Sequence, residues 1–317
     1  MQCNPPPTTP SEECERNGLR KDKDLPTKWL LISNALSSAL PTLPDSVAVG
    51  MSYFSNDGTC GISPQPTVPV QRNTVGQRAV MLSTISTLSL TPPTGPTPLV
   101  GATLLAYDYL HTSALNGVVS GNSYVVLITD GQQSDACSDM KQCNNAEECS
   151  ELLIRKAAIA SGPGVNIRTF VIGVPGSEVG RTMLSRLAKA GNTAPSNCVL
   201  EQGNCYFDVT RDVDLSSALQ GALQKIAGQT LTCELEVPPH EGALDVSLLN
   251  VVFTPHEGRV RVIPVSSSLP CDSGADGWQY DTTKQLIRLC GNSCTSVRND
   301  RGGRIDVVLG CPVIGPD

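Results

Sequence analysis

One carboxylate in this 317-residue chain stands where an α/β protein does its chemistry. Asp130 closes the stretch Ser123 to Gln132, whose apolar run Val125-Val126-Leu127-Ile128 has no polar alternation. Such a run reads as a strand covered on both faces, as in the centre of a parallel sheet. Ligands bind outside the carboxyl ends of those strands. A strand-end aspartate also makes turns and helix caps, so Asp130 needs neighbours before it makes a site.

The other reactive residue types offer less. Cys137, Cys143 and Cys149 are spaced more widely than the tight Cys-x₂₋₄-Cys pairs that zinc favours. Cys290-Gly-Asn-Ser-Cys294 has zinc-like spacing, but no second pair or nearby histidine completes it. A disulfide framework accounts better for both, with Cys198/Cys205 and Cys3/Cys14 as plausible local bridges; the connectivity stays open. His111, His240 and His256 are far apart and stand in no motif. Asp272-Ser-Gly-Ala-Asp276-Gly277 echoes a calcium loop, yet Gly274 and Thr283 stand at ligand positions, and a surface turn is the better reading. No Gly-x-Ser-x-Gly, Walker-type loop or Gly-x-Gly-x-x-Gly occurs, which removes the defining residues of hydrolase, nucleotide and dinucleotide sites.

The elements that must position Asp130 alternate along the chain. Residues 1–26 are proline-rich, then densely charged, and read as an irregular segment. A helix is expected over Thr27 to Leu40, a strand over Val47 to Phe54, then a loop to Thr74 with room for a short edge strand. Helices follow over Gly76 to Leu88 and from Leu99 to Leu110, where Pro98 suits the first turn. After the Asp130 strand come a helix at Glu147 to Ala160, a strand at Val165 to Val174, a helix at Arg181 to Ala190, a short strand at Tyr206 to Val209, and a helix at Asp214 to Ala227. This alternation over residues 27–228 predicts a doubly wound, mostly parallel sheet with helices on both faces. From residue 229 to 317 the period becomes two, at Leu231 to Val237, Val246 to Phe253, Arg259 to Ile263, Gln285 to Leu289 and Arg304 to Leu309. These runs, with no helical period evident among them, predict a small antiparallel β domain supplemented by Cys233, Cys271, Cys290, Cys294 and Cys311. One element is missing: a right-handed crossover needs a strand before its helix, and residues 1–26 contain no hydrophobic one.

Composition bounds the partners. A net charge of −7 argues against nucleic acid and anionic membrane surfaces. No window approaches the ~18 apolar residues of a membrane span. Thirteen cysteines in loop-like contexts point to an oxidising compartment. Met1-Gln2-Cys3-Asn4-Pro5 has neither a basic nor an apolar signal region, so the expectation is an export signal upstream of Met1.

Gly95-Pro96-Thr97-Pro98 ahead of a helix, Ile128-Thr129-Asp130-Gly131 after a strand, and Phe170-Val171-Ile172-Gly173-Val174 together resemble the von Willebrand factor A-type (vWA) domains, over about residues 27–228. That family has a doubly wound sheet with a metal-ion-dependent adhesion site built from an Asp-x-Ser-x-Ser loop, a threonine loop and a strand-end aspartate. The resemblance implies Thr97 as a direct or water-mediated metal ligand and Asp130 as a ligand through water. It also explains the missing strand: many bacterial members read Asp-x-Ser-Gly-Ser-Met, so Met1 is expected to be internal to a longer reading frame. Mg²⁺ or Mn²⁺ in such a site keeps an open position for a partner's Asp or Glu; with half of the ligands absent, weak or no metal affinity is expected here. In the family this strand neighbours the missing one, which predicts a gap beside Val125 to Thr129 or direct pairing with Val47 to Phe54.

The resulting expectation is a non-enzymatic, extracytoplasmic binding or adhesion protein of bacterial type, periplasmic, on the outer membrane or secreted, whose partner is a protein with an exposed Asp or Glu. The alternative is a structural or surface scaffold with a vestigial metal site. Zinc and nucleotide are not expected.

Overall fold

Two apolar runs pair at the centre of the molecule. β3 (Ser123–Thr129) and β4 (Ile167–Gly173) run parallel from Ser123 opposite Ile167 to Thr129 opposite Gly173. β5 (Phe207–Asp208) adds to the far edge of β4, again parallel, giving the order β3-β4-β5. The computed structural model describes residues 3–5, 22–43, 47–54, 60–90, 96–116, 118, 123–131, 133–137, 143–162, 165–212, 214–230, 233–237, 243–255, 259–266, 271, 276–283, 285–300 and 304–310.

Alternate side chains of a strand point to opposite faces, and here they enter two separate clusters. Leu127, Ile167 and Val171 pack with Leu99 and Tyr107 of α3 (Leu99–Leu115), Leu153 of α4 (Ala146–Ala160), and Leu184 and Leu187 of α5 (Arg181–Ala190). Phe170 and Ile172 pack instead with Ile32 and Ala35 of α1 (Lys28–Ala39) and with Leu215, Leu219 and Ile226 of α6 (Leu215–Thr230). Each fully buried aliphatic or aromatic side chain contributes roughly 1.5–3 kcal/mol. β4, buried at six of its seven positions, is the strand with most to lose from any polar substitution.

β1 (Ala48–Met51) and β2 (Val68–Arg72) form their own antiparallel sheet, with Ala48 opposite Arg72. Val68 packs with Leu40 and with Met81 and Ile85 of α2 (Val75–Leu90). Among the described residues β3 pairs with β4, and β1 pairs with β2, so the direct pairing of Val47 to Phe54 with β3 is not found. Residues 3–5 and 22–26, the described part of the first segment, are tied to the start of α1. Asn4 is buried and its amide donates to the carbonyls of Leu25 (3.1 Å) and Pro26 (3.0 Å), while the Lys28 N–H donates to Cys3 O (2.8 Å).

After α6 the strands are antiparallel. β6 (Glu234–Glu236), β10 (Leu286–Cys290) and β9 (Gly277–Asp281) make one sheet; β11 (Arg304–Leu309), β7 (Leu249–Thr254) and β8 (Arg261–Ile263) make another. Trp278, Ile287, Leu249 and Phe253 share one core cluster. A helix that no sequence period announced, α7 (Gly291–Asn299), follows β10. Its nine residues are too few and too polar to display a helical period. Asp276 accepts from the Ser293 N–H (3.0 Å), and the Cys233–Cys294 bridge holds the helix from the side. β9 also escaped the sequence reading.

The buried Tyr107 hydroxyl lies 2.6 Å from Thr169 Oγ1, joining α3 to β4. Tyr107→Phe leaves Thr169 short of a partner and should cost about 1–3 kcal/mol in urea titrations. Burial pushes the Tyr107 phenol up to about 12. The folded protein therefore keeps a proton that the unfolded chain releases from about pH 10 upward, and stability should fall between those values, less steeply in the phenylalanine variant.

Candidate functional site

α1 begins in an unusual way. Thr27 caps it, its Oγ1 accepting from Leu30 N (3.1 Å), and the next residue is a lysine in a helix that is otherwise apolar or small and polar. A cation in the first helical turn opposes the helix dipole. Burying an ammonium costs more still unless it is paired and hydrogen-bonded. Lys28 is nevertheless 0% exposed.

Its partner is the residue that the sequence singled out. Lys28 Nζ donates to Asp130 Oδ2 at 2.9 Å and to the Pro175 carbonyl at 2.8 Å. Asp130 follows β3 and Pro175 follows β4, so both oxygens lie at the carboxyl rim of the parallel sheet. The two strand ends are bonded to each other, Val174 N donating to Thr129 O (2.9 Å). Gly176 comes next at φ +113°, a conformation that only glycine adopts readily. A Cβ there would lie 2.5 Å from Asp130 O and 3.1 Å from Lys28 Nζ. The backbone thus closes over the ammonium in a way that admits no side chain.

Burial alone would raise the Asp130 carboxyl, but neighbouring positive charge, Lys28 included, holds it below its ordinary range. A depressed carboxyl contributes stability that is present above its unfolded value of about 3.9 and is lost as the pH falls through the folded one.

The Thr97 loop lies against the segment that follows Asp130. Thr97 N donates to Ser134 Oγ (2.8 Å) and Ser134 N to Thr97 O (3.0 Å); Gln133 Oε1 accepts from Val100 N (2.9 Å) at the start of α3. Gln133 Nε2 donates to Cys137 O (2.8 Å), and Cys137 is bridged to Cys60 on the loop between β1 and β2. Thr97 and Asp130 are therefore joined through residues 133–134, with the contacts to Thr97 running through its backbone; Gly95 lies outside the described residues. The end of β5, on the other side of β4, also carries an engaged carboxylate. Asp208, ending β5, accepts from Thr210 N (3.0 Å) and Thr210 Oγ1 (2.6 Å) and pairs with Arg181 (2.9 Å).

These residues do not fit a divalent cation. Asp130 Oδ2 and Pro175 O are oxygens that a hard cation would use, and both are engaged by an ammonium. An ion placed beside them would also meet the charge of Lys28. Among the described residues no three His, Cys, Asp or Glu side chains converge. Lys28 is the site residue that sequence reasoning missed, and the signal available was its type: one lysine directly after a cap residue, ahead of Trp29-Leu30-Leu31-Ile32.

Five disulfides join described residues: Cys60–Cys137, Cys143–Cys149, Cys198–Cys205, Cys233–Cys294 and Cys271–Cys290. Cys3 is bonded as well, while Cys14 and Cys311 lie outside the described residues. The spacing-based bridge Cys198–Cys205 is present. Cys290 and Cys294 are not a metal pair, since each bonds to a different distant cysteine.

No protein-family model and no curated protein matches this sequence. Among solved structures, the chain is similar to a von Willebrand factor type A protein from Catenulispora acidiphila, at 12% identity and a TM-score of 0.45 over 98% of this chain and 57% of that one. The chain therefore spans somewhat more than half the length of the structure it matches.

Removing one partner from a buried ion pair costs about 3–5 kcal/mol, whereas replacing both with apolar residues is often close to neutral. Lys28→Met and Asp130→Asn should each lower the urea midpoint strongly, with Lys28→Met/Asp130→Leu regaining most of the loss. In wild type, stability should drop below about pH 4, and Asp130→Asn should flatten that drop.

Proposed function

We propose that this chain is a non-enzymatic, extracytoplasmic protein-binding module of bacterial type: a doubly wound, vWA-like unit over residues 27–228, followed by a disulfide-bonded β unit over residues 229–317. The observation that carries this reading is the state of the rim. Asp130 and Asp208, at the ends of the two strands that flank β4, are engaged by cations of the chain, buried Lys28 and partly exposed Arg181. A general acid or base must reach its substrate with a proton to exchange; a carboxylate held by a buried ammonium is a structural group.

The loops around that rim are also pinned. The Cys60–Cys137 bridge joins segments 77 residues apart, tying the loop between β1 and β2 to the one after Asp130. Fixed loops lower the ordering cost of docking a protein. Disulfides of this number persist in oxidising compartments. No helix among the described residues is long and apolar enough to cross a membrane.

Two forms of this reading differ in what the rim does. In the first, Thr97 and Asp130 hold Mg²⁺ or Mn²⁺ for a partner's Asp or Glu, which requires Asp130 to exchange Lys28 for the ion. In the second, the module is a scaffold whose metal site is vestigial. The buried ion pair favours the second.

Non-reducing peptide mapping of protein recovered from an oxidising compartment should show Cys60 linked to Cys137; free thiols at both would contradict the extracytoplasmic assignment. A protein partner from an envelope fraction should be retained by the native chain in the presence of chelator and lost on Ser134→Arg at the rim. Retention that instead requires Mg²⁺ would restore the metal-mediated form.

A further inference from the structure

We propose that Lys28 is a resident cation of this rim: α1 brings a built-in positive charge to Asp130, and the rim works without a divalent ion. The proposal rests on the binding-module reading for its biological setting, but its chemistry concerns the chain alone.

The seat around the ammonium is built from three parts of the sequence. Lys28 stands 102 residues from Asp130 and 147 from Pro175, and its Nζ reaches both at hydrogen-bond distance. An ammonium has three donors and no acceptor, so it suits a pocket of carboxylate and carbonyl oxygens as a hard cation does, with its geometry set by the lysine stem. Gly176 completes the seat, because its left-handed backbone allows the loop to lie against both Asp130 and Nζ.

The placement is costly unless it serves the pair. Lysine at the first position of a helix gains nothing from the dipole, and its side chain is wholly removed from solvent. A lysine whose role was only to cover apolar surface would extend its ammonium to water; this one turns inward to the strand ends. The result is a lock: Lys28 ties α1 to the ends of β3 and β4 and contributes positive charge at Asp130 that is not an exchangeable ion. It also leaves no exposed charge on Lys28 for a partner's carboxylate, so docking at this rim must rely on the surrounding loops.

The test uses the full chain with Mg²⁺, Mn²⁺ or chelator as the only variable. In wild type the thermal midpoint should be the same in all three, and the paramagnetic signal of free Mn²⁺ should not diminish on adding protein. The isotope-labelled Lys28 ammonium should give a resonance protected from water exchange, which moves in Asp130→Asn and is unchanged by Mg²⁺. A metal-dependent rise in midpoint, together with a Lys28 resonance that shifts on adding Mg²⁺, both abolished by Asp130→Asn, would overturn the proposal. Lys28→Met should remove the protected resonance and lower the midpoint; if that variant does not fold, the wild-type and Asp130→Asn spectra decide the question. Because no partner enters the experiment, its failure is separate from a failure of the binding-module reading.

Discussion

A buried ammonium must be answered by a negative group, and in this protein that requirement joins the first helix to the parallel sheet. Lys28 and Asp130 are far apart in the chain and each would be destabilising alone in its setting: the lysine because it sits desolvated at the wrong end of a helix, the carboxylate because it is enclosed at a strand end. Paired, they set the entry of α1 over one face of the sheet and close the loop after β4. Apolar packing holds the helices to the sheet: residues of α1 and α6 share one cluster with β4, and residues of α3, α4 and α5 share the other.

The same constraint shapes what the rim can do. Strand-end carboxylates in a parallel sheet are ordinarily available to ligands, and here Asp130 and Asp208 are turned to cations of the chain instead. Hydrogen bonds from Thr97, Gln133 and Ser134, and the bridge from Cys60 to Cys137, then lace the neighbouring loops together. The covalent links also distribute the burden of stability. Among the described residues after α6, a cluster includes Trp278 and Ile287, and the bridges Cys233–Cys294 and Cys271–Cys290 hold β6, β10 and α7 around it.

Much of the first two-thirds of the chain was legible because its elements are long and strongly patterned. Trp29, Ile32, Leu36 and Leu40 announce α1, and the unbroken apolar runs of β3 and β4 announce buried parallel strands; Arg181 to Ala190 is a helix with the expected bounds. Short elements were not. α7 is polar and held by a disulfide to a residue 61 positions away, and β9 lies between Asp276 and Asp281, where a loop would be read as readily. Their existence depends on what packs beside them rather than on their own period.

Residue type and local spacing were enough to raise Asp130 as a candidate and to read the cysteines as disulfide partners, whereas Thr97 entered only through the resemblance to the vWA domains. They carried no information on what Asp130 faces. A lysine 102 positions earlier is one of many cations in the sequence, and nothing local distinguishes it until the helix, the two strand ends and the left-handed turn at Gly176 are folded against one another. Patterns of hydrophobicity are local and survive in one dimension. The partner of a charge is chosen by burial and distance, and those exist only in the tertiary structure.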